Sequence, residues 1–76
     1  MRKYNIEIEA VLPWSGDRVL CHLDVLTDED GTHAGEIVIY PYWGESPIVD
    51  LSSGQVETMR EIVFEMYMES LDSPVT

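Results

Sequence analysis

Few side chains in this 76-residue chain are of types that do catalytic chemistry. Cys21 and His22 could in principle act as nucleophile and base, but they are neighbours in a stretch with strand-like alternation. Adjacent side chains of a strand point to opposite faces of the sheet, so the two cannot form a dyad. No histidine or acid is placed to activate Ser52 or Ser53. We interpret both serines as residues at the start of a helix. We therefore expect no enzymatic activity.

The acidic run Asp28–Gly31 has the composition of a calcium-binding loop. An EF-hand aligned on its glycine would place Leu26 and Ile37 at ligand positions, and neither side chain can bind calcium. We interpret the run as a hairpin turn. His22 and His33, even with nearby aspartates, are too sparse a ligand set for a metal site. The sequence predicts no bound metal and no other cofactor.

Acidic residues recur at every fourth position near the C-terminus: Glu57, Glu61, Glu65 and Glu69, followed by Asp72. We call the four glutamates the acidic ladder. On an α-helix they stand about 6 Å apart, and like charges at that spacing repel by roughly 0.2–0.5 kcal/mol per pair. Arg60 is the only base in the segment. The ladder is either the solvated side of an amphipathic helix or an electronegative surface for a partner.

The net charge of −11 is unevenly distributed. Residues 1–18 hold three acids and three bases, whereas residues 19–76 hold twelve acids against Arg60 alone. Such a field attracts basic proteins and repels nucleic acid and anionic membranes, so we expect no direct binding to either. One cysteine, no apolar signal segment and no apolar run of about 18 residues predict a cytoplasmic protein, of the producing or an infected cell.

Alternation with a period of two predicts three strands, at about residues 4–11, 18–26 and 36–42. A short fourth strand at Ile48–Asp50 is left open. Ser52 and Gln55 match a capping box, which predicts a helix that ends near Asp72. Its apolar stripe comprises Val56, Met59, Val63, Met66 and Tyr67. Residues 73–76 are expected to form a flexible tail.

These elements predict one acidic α+β domain over residues 1–76. It is a three-stranded antiparallel β-meander, four-stranded if Ile48–Asp50 pairs, followed by one C-terminal α-helix packed on one sheet face (βββα). The uncovered face would carry acids and large apolar groups, and exposed apolar groups often mark an interface. Tyr40, Tyr42 and Trp43 are either packed over the core or form a contact cluster for a partner.

The charge predicts a non-enzymatic inhibitor or adaptor that occupies a basic, nucleic-acid-binding surface of another protein. The residues predicted to bind the partner are Glu57, Glu61, Glu65, Glu69, Asp72, Tyr40, Tyr42, Trp43, Glu7, Glu9 and Asp24. Carboxylates about 6 Å apart are comparable in scale with nucleic-acid phosphates, as in the nucleic-acid mimics among phage anti-restriction and anti-CRISPR proteins. That likeness is of charge and size only. The alternatives are a structural or subunit module that homodimerises through the open sheet face, and an immunity protein or antitoxin that neutralises a basic toxin.

Overall fold

In a computed structural model the chain forms three strands and one helix within the described residues 1–72. The strands are β1 (Arg2–Val11), β2 (Arg18–Asp28) and β3 (Gly31–Pro41), and the helix is α1 (Ser53–Asp72). The strands form one antiparallel sheet in the order β1-β2-β3. This confirms the βββα prediction. The side chain of Asp72 and residues 73–76, where a flexible tail was expected, lie outside the described part.

The hairpin of β1 and β2 is regular over its whole length, from the Arg2–Thr27 pair to the Val11–Arg18 pair. Because side chains alternate between the two faces, every second residue of each strand points toward α1. The core comprises Ala10, Leu12, Val19, Cys21, Leu23, Val25, Ile39, Met59 and Val63. The alternation read from the sequence therefore assigned the buried face of these two strands correctly.

Strand β3 starts five residues earlier than the sequence pattern predicts. Leu23 pairs with Ile37 but Val25 pairs with Ala34, so β3 carries one extra residue at this point. Such a bulge changes which positions face the core, here from even-numbered Ala34 to odd-numbered Ile37. No single period-two pattern therefore spans β3, and the sequence pattern predicted only the second half of the strand.

The β2–β3 turn is a hairpin turn, as the sequence predicts. Asp28 pairs with Gly31, and the Asp28 carboxylate accepts a hydrogen bond of 2.8 Å from the Asp30 backbone N–H. Gly31 has a φ of +124°, which a residue with a Cβ rarely adopts. The acidic run therefore closes a hairpin.

The capping box that starts α1 is formed as predicted. The Gln55 backbone N–H donates to Ser52 Oγ at 3.1 Å, and the Ser52 backbone N–H donates to Gln55 Oε1 at 3.0 Å. Before it, Ile48–Asp50 is not a strand. Its backbone makes one hydrogen bond to the sheet among the described residues, of 2.7 Å from the Ile48 N–H to the Ile39 carbonyl, and the Ile48 side chain packs against the core. One backbone hydrogen bond is too few to form a fourth strand.

Helix α1 runs across the strands rather than along them. Arg60 reaches the Gly35 carbonyl on β3 at 3.4 Å, and the Tyr67 hydroxyl lies 2.8 Å from that of Tyr4 on β1. Seven residues of helix rise about 10.5 Å, close to the roughly 9.6 Å between the first and third strands of a sheet. Met66, predicted to lie in the buried stripe, is 39% exposed. It lies only about 20° around the helix from buried Met59, so its exposure comes from its place along the helix and not from the side it faces.

Candidate interaction surfaces

The outer side of α1 presents the acidic ladder to solvent. Met59 and Val63 are fully buried against the sheet. Glu61 and Glu65 each lie two residues from Val63, which places them about 160° around the helix from it. Both are exposed, as are Glu57 and Glu69 at the two ends of the ladder. The structure thus directs these carboxylates away from the core, on a helix that the core holds in place.

The only base on the helix does not neutralise the centre of this ladder. The Arg60 guanidinium pairs with Glu57 and also donates to the Gly35 carbonyl, so it is held on the β3 side. Within residues 1–72, Glu61 and Glu65 form no ion pair. The last turn of α1 contains no basic residue, so its exposed carbonyls add to the negative potential.

The acids of the open sheet face are in a different electrostatic situation. Three of them have a cationic or histidine partner across the strands, the pairs being Arg18–Glu9 at 3.2 Å, Lys3–Asp24 at 3.7 Å and His22–Glu7 at 3.8 Å. Asn5 links two of these groups, with bonds of 3.1 Å to Asp24 and 3.4 Å to His22. Lys3 and Arg18, two of the three bases among residues 1–18, thus form ion pairs on this face.

The predicted contact residues therefore fall on two sides of the molecule. The acidic ladder lies on the outer side of α1, whereas Glu7, Glu9 and Asp24 lie on the sheet face that α1 does not cover. One flat partner surface cannot contact both sets at once. We grouped the two sets from the sequence because all of the residues are acidic. That they lie on two different sides of the molecule follows only from how the helix packs on the sheet.

The three predicted contact aromatics differ in exposure. Tyr40 is half-buried on the open face, with its ring edge-to-face against His22 at 5.2 Å. Tyr42 contacts Trp43 edge-to-face at 4.6 Å, and the Arg18 guanidinium lies 5.1 Å from the Tyr42 ring centre. Trp43 is 90% exposed. A tryptophan exposed to this degree is typical of contact residues in complexes.

An open groove of about 550 Å³ lies beside these aromatics, at the sheet end that holds the β1–β2 turn. Its lining residues are Leu12, Gly16, Asp17, Arg18, Val19, Pro41, Tyr42, Trp43 and Ile48. Leu12 and Val19 belong to the core, so the groove reaches down to it. Sequence reasoning missed this groove, because its two loops are far apart in the chain and meet only through strand pairing.

Cys21 and His22 lie on opposite sides of the sheet. Cys21 is fully buried, and burial raises the pKa of its thiol to about 11. His22 contacts Asn5 and Glu7 on the open face, and His33 lies 3.4 Å from Asp28 at the hairpin end. Within residues 1–72 no group of three or more His, Cys, Asp or Glu side chains is arranged to hold a metal ion.

No helix in the described part of the chain is both long and apolar enough to cross a membrane. Comparison with known proteins yields no match to a family model, a curated protein or a solved structure. The geometry of the surfaces themselves is therefore the basis for a functional proposal.

Proposed function

We propose that this domain is a non-enzymatic inhibitor or adaptor, which docks the outer side of α1 onto a basic surface of a partner protein. The observation that supports this most directly is that Glu61 and Glu65 are exposed and form no ion pair with any residue of the described part, 1–72. The acids of the open face have partners such as Lys3 and Arg18. On α1, by contrast, two exposed carboxylates without an ion pair stand on one side of a helix that is packed on the sheet.

A partner with basic side chains would relieve the repulsion within the ladder. Adjacent carboxylates at this spacing cost the free protein roughly 0.2–0.5 kcal/mol per pair. Cations from a partner would turn that repulsion into attraction and would also steer the two proteins together, so association should be fast and should weaken as salt rises.

The spacing of the carboxylates favours a partner surface that normally holds nucleic acid. Glu57 to Glu69 spans about 18 Å of helix with a charge roughly every 6 Å, and phosphates follow each other at about 3.4 Å along the axis of one duplex strand. A basic groove built for phosphates would therefore meet several of these carboxylates together. Tyr42 and Trp43 would supply apolar contact area at a second point.

The test is affinity capture from a cell lysate with the immobilised domain, followed by elution with salt or with duplex DNA. We expect the wild-type domain to retain basic nucleic-acid-binding proteins that either treatment releases. Glu61→Lys/Glu65→Lys should lose that retention. Glu45→Lys/Asp50→Lys is the matched control, because it changes the net charge equally at two exposed loop positions, and it should retain the partner.

Three results would contradict the proposal. The first is equal capture by the ladder variant and the wild-type domain. The second is equal loss in both charge variants, which would show that only net charge matters. The third is a captured partner that salt releases but duplex DNA does not, such as a toxin whose bound surface does not hold nucleic acid.

A further inference from the structure

The two edges of the sheet differ in how well they are protected against pairing with another strand. On the β3 edge, Ile48 donates to the Ile39 carbonyl at 2.7 Å and Arg60 donates to the Gly35 carbonyl at 3.4 Å. The bulge next to Gly35 and the proline at position 41 disrupt this edge further. These features are the ones that block strand addition in natural sheets.

The β1 edge has none of these features. It is a regular strand of ten residues without proline or bulge. The Leu12 N–H bonds to the carbonyl of Asp17, the residue just before β2, so the backbone groups of every second residue from there toward the N-terminus also face β2. The backbone N–H and C=O groups of the odd-numbered residues, from Lys3 to Val11, face away from β2, at the free edge of the sheet. Within residues 1–72 no backbone hydrogen bond reaches them.

We propose that two copies of this chain pair through their β1 edges, in antiparallel register centred on Ile6, to form one continuous six-stranded sheet. The residues that then face each other across the two copies are Ile6 with Ile6, Asn5 with Glu7, Tyr4 with Ile8 and Lys3 with Glu9. The symmetry of the pair repeats the Lys3–Glu9 contact, which gives two opposite-charge pairs per dimer.

The sequence of β1 complements itself best in this register. A register centred on Glu7 places that carboxylate opposite its own copy, which is unfavourable. A register centred on Asn5 leaves Ala10 and Val11 without partners. A shift by one residue would set the side chains that face α1 against those of the open face.

Charge and burial also favour this edge over other parts of the surface. Residues 1–18 carry no net charge, so the pairing joins the neutral segments of two acidic chains. Ile6 and Ile8 are only partly buried, and Tyr4 is 41% exposed. A second β1 beside them would cover part of that apolar surface. The outer side of α1 stays free, so this dimer does not depend on the proposed function.

A cysteine cross-link tests the register directly. Facing residues in a non-hydrogen-bonded antiparallel pair have Cα atoms about 4.5 Å apart, within the disulfide range of roughly 4.4–6.8 Å. On mild oxidation Ile6→Cys should form a covalent dimer. The wild-type protein, whose Cys21 is buried, and Ile8→Cys, which faces Tyr4, should not. Cross-linking of Glu7→Cys in place of Ile6→Cys would overturn the register.

Sedimentation equilibrium tests the pairing itself. Lys3→Glu sets two like-charge pairs in place of two opposite-charge pairs and should weaken the dimer about tenfold. Lys3→Glu/Glu9→Lys should regain part of the affinity, because the charges between the two copies are complementary again while those beside Asp24 and Arg18 within each chain are not. Glu7→Pro removes an outward N–H and should abolish pairing, whereas Glu7→Ala keeps that N–H and should not. A wild-type monomer at millimolar concentration would overturn the proposal.

Discussion

The hydroxyl groups of Tyr4 and Tyr67 lie 2.8 Å apart, although 63 residues separate them in the chain. Their rings meet edge-to-face with centres 6.4 Å apart. One residue stands near the start of β1 and the other near the end of α1. This contact joins the two ends of the described fold and sets the point at which α1 meets the first strand.

Removing either hydroxyl should loosen that end of the helix. We expect Tyr4→Phe and Tyr67→Phe each to lower the urea midpoint of unfolding, by less than the effect of Met59→Ala, which leaves a core cavity and costs about 2–5 kcal/mol. The double variant should cost no more than Tyr4→Phe alone, because that substitution already removes the bond with Tyr67 together with the one that Tyr4 makes with Thr27. Tyr40→Phe is a matched control, and an equal loss there would contradict the assignment.

The same contact should separate the alkaline titrations of the two tyrosines. The hydrogen bond with Tyr67 lowers the pKa of Tyr4, since the Tyr67 hydroxyl can donate to the Tyr4 phenolate. The same bond raises the pKa of Tyr67. In Tyr67→Phe the pKa of Tyr4 should rise toward its ordinary value. Ultraviolet or NMR titration measures this, and an unchanged Tyr4 titration would show that the bond does not form in solution.

The buried thiol should make stability depend on pH in the alkaline range. Burial raises the pKa of Cys21 from 9.0 to about 11, so the unfolded chain loses this proton first as pH rises. The free energy of unfolding should therefore fall between pH 9 and about 11. Urea unfolding of wild type and Cys21→Ala across this range isolates the effect, since other groups titrate in both proteins. A constant stability difference between them would contradict it.

Two glycines should respond in opposite ways to the same substitution. At Gly54, in the first turn of α1, the nearest atom to an added Cβ is 4.0 Å away, and Gly54→Ala should stabilise the protein by about 0.5–1 kcal/mol. At Gly35 an added Cβ would lie 3.1 Å from both the Cβ and the carbonyl oxygen of Asp24. Gly35→Ala should therefore destabilise it, by about 1 kcal/mol. Thermal unfolding of the two variants and the wild-type protein shows whether each substitution raises or lowers the stability.

Local patterns in the sequence predicted most of the fold. Strands β1 and β2 follow one alternation from end to end, and Ser52 with Gln55 marks the helix start, because strand alternation and helix capping depend on residues close in the chain. The first half of β3 escaped prediction because the bulge near Gly35 changes the phase of that alternation. The sequence also showed that the helix carries four regularly spaced glutamates.

Only the tertiary structure decided which of the acids remain uncompensated. Lys3 pairs with Asp24 and Arg18 with Glu9 because the β1–β2 register brings them together, whereas Arg60 is held at the β3 side of α1. The tertiary structure also decided which sheet edge is free, since the Ile48 N–H bonds to the outer side of β3 and no backbone hydrogen bond among the described residues reaches the outer side of β1. Charge content is a property of composition, but compensation and exposure depend on distances between segments that only folding sets.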